Sequence, residues 1–440
     1  MDEEFDSIKK ANVMISSLCV FTKIKKDRVI KKYNSLLEYL SKDKISVSEA
    51  ICEYNDFAYE LLNKAEGTSL KQYVIDKIFL DDNPFTKLID NKEVNNKNIL
   101  NQVDYELMAL QYICSLGSYT IKNAIMSKTK AMGFEEEIIR NLIDWEENNS
   151  EEEPEKAIDK LKLKILNSED WGTCLDDIIE FYNNYGTGEF GEYRAFVWEK
   201  DEGKAYLRGV KAPDPVRLSD LVGYEYQKET IVENTMQFLN GHPANNILLY
   251  GSRGTGKSST VKAIINEYYN QGLRLIEVDK DKLVDFTKII RLLKNKNLKF
   301  IIFVDDLVFE EGEASYSALK TILEGGVENR SSNILIYATT NRKHLVKETF
   351  SERAGDDVHA SDSIEEKLSL SDRFGITVSF YSPDQKEYLK IIDGIVEARG
   401  LEVDTEYLHS EALKWVRWHN ARSPRTAKQF INWLEGDLKK

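Results

Sequence analysis

The sequence predicts an α/β core, with a five-stranded mostly parallel sheet, set between helical regions. Three observations carry that expectation. Between residues 216 and 382 short apolar runs alternate with helix-like stretches, the pattern of a sheet covered on both faces. One apolar run leads directly into a glycine-rich turn and then a helix. The first 145 residues are periodic and poor in Gly and Pro, with Pro84 the only proline before Pro154.

The chain has 440 residues, of which 42% are hydrophobic and 10% aromatic, enough to bury an ordinary core without disulfide or metal staples. Its formal net charge of -15 argues against wholesale electrostatic binding to nucleic acid or anionic membrane. Cys19, Cys52, Cys114 and Cys174 form no C-x-x-C pair and have no zinc-site spacing, so they read as reduced and mostly buried thiols. The start, MDEEFDSIKK, lacks the order of a signal peptide. The longest uncharged stretch, 107–121, is too short to span a bilayer and contains Gln111, Tyr112 and Ser115. Together these predict a cytoplasmic protein with no membrane partner.

Residues 1–145 are expected to form a helical N-terminal region. Leu107, Leu110, Ile113 and Cys114 there fall on one face of a helix. The run WEENNSEEEPEK, with six Glu and one Lys, predicts an acidic linker over 146–157. Residues 158–215 read as a connecting segment, rich in Gly and aromatics from Phe181 to Trp198, which could dock the N-terminal region or be an ordinary packed connector. The core spans 216–382, with strands expected over 246–251, 273–278, 300–306, 333–340 and 376–381. Residues 383–440 hold three helix candidates and predict a small helical lid.

The turn Gly251-Ser-Arg-Gly-Thr-Gly-Lys-Ser258 fits G-x-x-x-x-G-K-[ST] between a strand and a helix. Glycines at 251, 254 and 256 let the backbone curl so that N–H groups face phosphate oxygens near a helix N-terminus. Gly251, Ser252, Arg253, Gly254, Thr255, Gly256, Lys257, Ser258 and Ser259 are the predicted nucleotide-binding stretch. Lys257 is expected to reach the β- and γ-phosphates, and Ser258 to place a hydroxyl on Mg²⁺. ATP and Mg²⁺ are the predicted cofactors. The strand at 300–306 delivers Asp305, assigned to the Mg²⁺ shell, and Asp306, assigned to the attacking water. Glu310 and Glu311 are rival bases.

Beyond the P-loop, residues 216–440 resemble the AAA+ superfamily. LSDLVGYEYQKE looks like the segment that contacts adenine, which implies Val222 and Gly223 near the base. The resemblance implies that Asn341, ending NILIYATTN, is a polar sensor of the attacking water. It makes Arg373 of SDRFG an arginine finger reaching the γ-phosphate of a neighbouring copy. Arg425 of RSPRTAKQF would be the second sensor, with Arg422 in reserve.

The wording GSRGTGKSSTVKA, GLRLIEVDKDKL, LKTILEGGVENRSSNILIYATTNRKHL and EEKLSLSDRFG narrows the resemblance over about 170–440. It is that of a bacterial AAA+ group known as domain of unknown function 815. Two departures from the superfamily matter. Asp306 stands where Glu is more frequent, as in replicative helicase loaders and initiators, which implies slow hydrolysis. The strand ending EVDKDKL has no aromatic-apolar-Gly loop of the kind threading unfoldases use.

The expected activity is therefore an ATPase, with hydrolysis at subunit interfaces driving assembly or remodelling in a homo-oligomeric ring or open ring. One alternative is a nucleotide-controlled scaffold with slow or negligible hydrolysis. Another is a helicase-loader-like, DNA-associated ATPase, supported only by the basic cluster Lys23, Lys25, Lys26, Arg28, Lys31 and Lys32, a pattern that is usually a solvated face. The stretch between Asn341 and Arg373 is expected to respond to nucleotide, with His344 and His359 as surface polar residues.

Overall fold

A computed structural model describes residues 2–64, 69–92, 96–145, 156–309, 313–324, 331–342, 372–419 and 421–438. The chain divides into two compact units, Met1–Glu192 and Tyr193–Lys440. Glu310, Glu311, His344, His359 and the stretch expected to respond to nucleotide lie outside the described residues.

The first unit is helical. Its longest helices are Asp2–Ser17, Arg28–Ser41, Val47–Lys64 and Lys97–Ser115. Side-chain caps set several starts: Asp27 accepts from Val29 N–H, and Asn83 with Thr86 forms a capping box. The stripe Leu107, Leu110, Ile113 and Cys114 is buried as its spacing requires. Tyr33, Tyr54, Phe57 and Trp171 fill the same core. Glu106 is fully buried but accepts from the backbone N–H groups of Cys19, Val20 and Phe21 at 2.7, 3.0 and 2.9 Å. Those bonds meet the requirement that a buried carboxylate be hydrogen-bonded. Helices Ala157–Leu166 and Leu175–Tyr185, expected to connect, belong to this unit.

One expectation is corrected here. Cys19, in the turn after the first helix, and Cys52, on the outer face of helix Val47–Lys64, are exposed; Cys114 and Cys174 are buried. Half of the basic cluster is paired with acids: Lys23 with Asp81 at 3.7 Å, Arg28 with Glu60 at 2.7 Å and Lys32 with Asp56 at 2.6 Å. Among the described residues no helix is long and apolar enough to cross a membrane, and no group of His, Cys, Asp and Glu could hold a metal ion.

The second unit is built on a seven-stranded sheet rather than the five strands expected. The strands are β1 (Ala195–Asp201), β2 (Lys204–Gly209), β3 (Ile247–Gly251), β4 (Leu273–Glu277), β5 (Lys299–Val304), β6 (Ile334–Thr340) and β7 (Ile376–Phe380). Their order is β2-β1-β4-β5-β6-β3-β7, with only the β1–β2 pair antiparallel. The extra strands form a hairpin closed by Glu202 and Gly203, whose φ of +44° and +82° suit a two-residue primed turn. β1 then adds to the edge of β4, placing Ala195, Phe196 and Trp198 in buried positions. β2 alternates exposed and half-buried residues, a pattern that charge hides in the sequence.

The central strands are buried on both faces. Ile301 and Phe303 of β5 pack with Ile231, Val261 and Ile264 from helices Glu225–Leu239 and Lys257–Tyr268. Phe300, Ile302 and Val304 alternate with them and are also fully buried. After β7 the helices Gln385–Ala398, Thr405–His419 and Pro424–Leu438 form the expected lid around Tyr388, Ile392, Leu408, Phe430 and Ile431. Asp384 and Glu387 cap the first of them reciprocally. The chain is thus an α/β protein with a mostly parallel sheet, a helical N-terminal region and a C-terminal helical lid.

Candidate functional site

The candidate site lies at the C-terminal ends of β3, β5 and β6, where a parallel sheet presents loops and helix N-termini. β3 ends at Gly251, and helix Lys257–Tyr268 starts six residues later with no side-chain cap on its first N–H groups. Gly251, Gly254 and Gly256 have φ of +141°, +76° and +95°, the curl a phosphate-cradling backbone needs. A Cβ at 251 would stand 1.9 Å from Phe380 O, because Ser252 N–H bonds that carbonyl at 3.0 Å. The loop is thereby pinned to the end of β7. Thr255 and Thr260 bond back to Ser252 O and Gly256 O, both at 2.9 Å, and lock the turn into the helix.

Lys257 folds over this loop and is 6% exposed. Its ammonium donates to Gly251 O at 2.9 Å, Ser252 O at 2.8 Å and Asn341 Oδ1 at 3.0 Å. Burial lowers its pKa from the ordinary lysine value; Asp305 and Asp306 oppose that shift, while Arg425 and Arg253 add to it. Asn341 uses its amide nitrogen to donate to Asp306 Oδ1 at 2.7 Å, so one side chain joins the lysine to the second acid. Ser258 Oγ donates to Asp305 Oδ1 at 2.7 Å.

A residue absent from the sequence reading organises the acids. Thr339, buried in β6, donates to Asp305 Oδ1 and accepts from Asp306 N–H at 2.9 Å. Asp306 has φ of +49°, a left-handed conformation uncommon outside glycine and tolerated best by Asn and Asp. Its N–H also bonds Asp305 Oδ1 at 3.1 Å. The signal for Thr339 was its place two residues before Asn341 at the end of a wholly buried strand.

The donor set fits a nucleotide triphosphate with magnesium. The curled loop and uncapped helix start supply N–H groups for phosphate oxygens, and Lys257 supplies a cation. Ser258 and Asp305 supply a hydroxyl and a carboxylate already within bonding distance, the hard oxygen ligands Mg²⁺ prefers.

The lid reaches the same loop. Arg425 N–H donates to Gly254 O at 3.2 Å, and a Cβ at 254 would meet Arg425 Cβ and Ser423 Oγ at 3.1 Å. Val222 and Gly223 sit against the lid helix Gln385–Ala398. A Cβ on Gly394 would approach Val222 Cγ1 to 2.6 Å, so this mid-helix glycine admits the valine. An open cleft of about 560 Å³ is lined there by Leu218, Leu221, Val222, Lys228 and Gly394. Arg373 is placed elsewhere: its guanidinium pairs with Glu324 at 2.6 Å, just beyond helix Ala314–Leu323. Arg422 is exposed, and Arg253 and Ser259 lie on the loop and the first turn beside Lys257.

Residues 191–438 match the family described as protein of unknown function (DUF815). No curated protein matches the chain. Solved structures similar to it include three of RuvB from Thermotoga maritima. One variant is 18% identical, covers 48% of this chain and 62% of that chain, with a TM-score of 0.34. The structure titled as the Holliday junction branch migration motor is 15% identical over 50% of this chain and 72% of that one, with a TM-score of 0.32. A second variant is 16% identical with the same coverage and TM-score. This chain therefore spans less than two thirds of the first of these structures. With more than half of its length inside the family match, the chain belongs to the DUF815 family.

Proposed function

We propose that this chain is an AAA+ ATPase that hydrolyses ATP at a site completed by a neighbouring copy, and that the cycle drives assembly or remodelling of a macromolecular target. The observation that carries the reading is the linkage Lys257–Asn341–Asp306 beside Ser258–Asp305. It gathers the phosphate cation, the polar sensor and both acids around one glycine loop.

When bound, ATP with magnesium supplies the transferable phosphoryl group and the metal's charge. The loop 251–258 orients the phosphates through backbone N–H groups, and Lys257 offsets their charge. Ser258 and Asp305 hold the metal ligand positions. Asp306 accepts a proton from the attacking water, and Asn341 fixes the direction of that carboxylate. Arg425 reports the lid position to Gly254. Arg373 acts on the next copy's site, where a trans arginine contributes roughly 10³–10⁵ in rate.

The test is ATPase rate per protomer against protein concentration, for wild type, Asp306→Asn and Arg373→Ala. A rate that rises with concentration and collapses in both variants supports a shared site. Tight ATP binding without turnover in wild type replaces it with the scaffold reading. That second reading is favoured by one feature: Asp306 is a methylene shorter than Glu and is held by Asn341 and a left-handed backbone.

A further inference from the structure

The lid carries a charge asymmetry of which the nucleotide site uses only Arg425. Residues 412–434 contain Lys414, Arg417, Arg422, Arg425 and Lys428 and no carboxylate, in a chain of net charge -15, with Glu411, Glu435 and Asp437 flanking the stretch. On helix Pro424–Leu438 the exposed stripe reads Arg425, Lys428, Gln429, Asn432, Trp433, at i, i+3, i+4, i+7, i+8 spacing. The adjoining helix ends in exposed Arg417, Trp418 and His419.

Two indoles on this face meet solvent: Trp418 is 87% exposed and Trp433 45% exposed. Trp433 is braced by Trp415 and Phe430, with ring centroids 5.5 and 6.2 Å away, and Trp415 in turn lies 4.6 Å from His419. That rigid aromatic base costs little further ordering when a flat ring stacks on it.

The cations are also available. In the N-terminal basic run Lys23, Arg28 and Lys32 pair with Asp81, Glu60 and Asp56, and no exposed aromatic ring stands among its cations. On the lid, Lys414 pairs with Glu411, but among the described residues Arg417, Arg422 and Lys428 make no ion pair. Protein–protein interface cores are depleted in charge, whereas here unpaired cations interleave with each exposed ring. Cations for a phosphate backbone alternating with stacking platforms are the chemistry of single-strand binding, since duplex bases do not offer their faces.

We infer that the exposed face of the lid binds single-stranded DNA, with Arg417 and Lys428 on phosphates and Trp418 and Trp433 against bases. This stands apart from ATP turnover and is tested without nucleotide. The probe is a fluorescent thymidylate oligomer of about 20 nucleotides, titrated with the full chain by anisotropy across a salt series. The expected result is binding that weakens steeply with salt. Arg417→Glu with Lys428→Glu should weaken it about tenfold or more and flatten the log–log salt slope by roughly 0.7 per lost contact. Trp418→Ala should weaken it roughly five- to a hundredfold at unchanged slope. Lys31→Glu, in the N-terminal run, should change nothing. Thermal melts and ATP binding of each variant establish that it is folded.

No binding at low salt overturns the inference, as does an effect of Lys31→Glu equal to that of the lid variants. Equal or tighter binding of a uridylate oligomer overturns the DNA assignment. If the double reversal leaves DNA binding intact but dissociates an oligomer in sedimentation, the face is a contact between copies and the inference falls.

Discussion

The hydroxyl of Thr339 holds both acids of the candidate site, accepting from the N–H of Asp306 at 2.9 Å while donating to the carboxylate of Asp305. It lies in the last buried residues of β6, one strand away from the acids it positions. Asp306 occupies a left-handed conformation, and its N–H is shared between Thr339 at 2.9 Å and Asp305 Oδ1 at 3.1 Å, so the hydroxyl helps to hold a strained residue in place.

Thr339→Val should therefore lower stability by roughly 0.5–1.5 kcal/mol, the net contribution of a typical hydrogen bond. Turnover should fall with little change in ATP affinity, and Thr339→Ser should restore it. Urea unfolding with steady-state kinetics reads all three; unchanged turnover in the valine variant would remove the positioning role.

Gly251 and Gly256 separate steric clash from backbone strain. A Cβ at 251 meets the carbonyl of Phe380 at 1.9 Å, whereas one at 256 meets nothing within 4 Å and only inherits φ of +95°. Gly256→Ala should cost roughly 1–2 kcal/mol, the penalty of a left-handed alanine. Gly251→Ala should cost roughly 3 kcal/mol or more, because β3 and β7 must part. Equal losses in denaturant midpoints would show that the clash is relieved locally.

Lys257 gives a pH signature. Its folded pKa lies below the unfolded lysine value because burial disfavours the charged form. The unfolded chain thus binds more protons between the two values, so the nucleotide-free protein gains stability from this group as pH rises through that window. The cost of burying the charge is fully present below it. Melting curves from neutral pH toward pH 10 should show that gain in wild type and not in Lys257→Met. The same variant should lose the stabilisation that ATP confers.

In the proposed mechanism Arg373, paired with Glu324, leaves that partner to act on a neighbour. The pair is partly exposed, and such ion pairs contribute up to about 1 kcal/mol. Glu324→Gln should then lower the protein concentration for half-maximal ATPase activity by up to about fivefold. A rise in that concentration would show that Glu324 helps deliver the arginine.

The sequence by itself determined the strand–loop–helix around Gly251, the helical lid and the five apolar strands. In these, the chemistry and the local backbone are encoded together: glycines permit the curl, and short β-branched apolar runs bounded by polar turns fit strands buried on both faces. It also named Lys257, Ser258, Asp305, Asp306 and Asn341, which the fold brings into one bonded group. The hairpin β1–β2 was hidden because β2 faces solvent and its charged, alternating residues resemble a connector. Tertiary structure alone decided that Thr339 bridges the two acids, that Gly394 admits Val222 and that Glu324 holds Arg373. Each depends on a partner distant in sequence, and pairing across 30 to 170 residues leaves no local period to read.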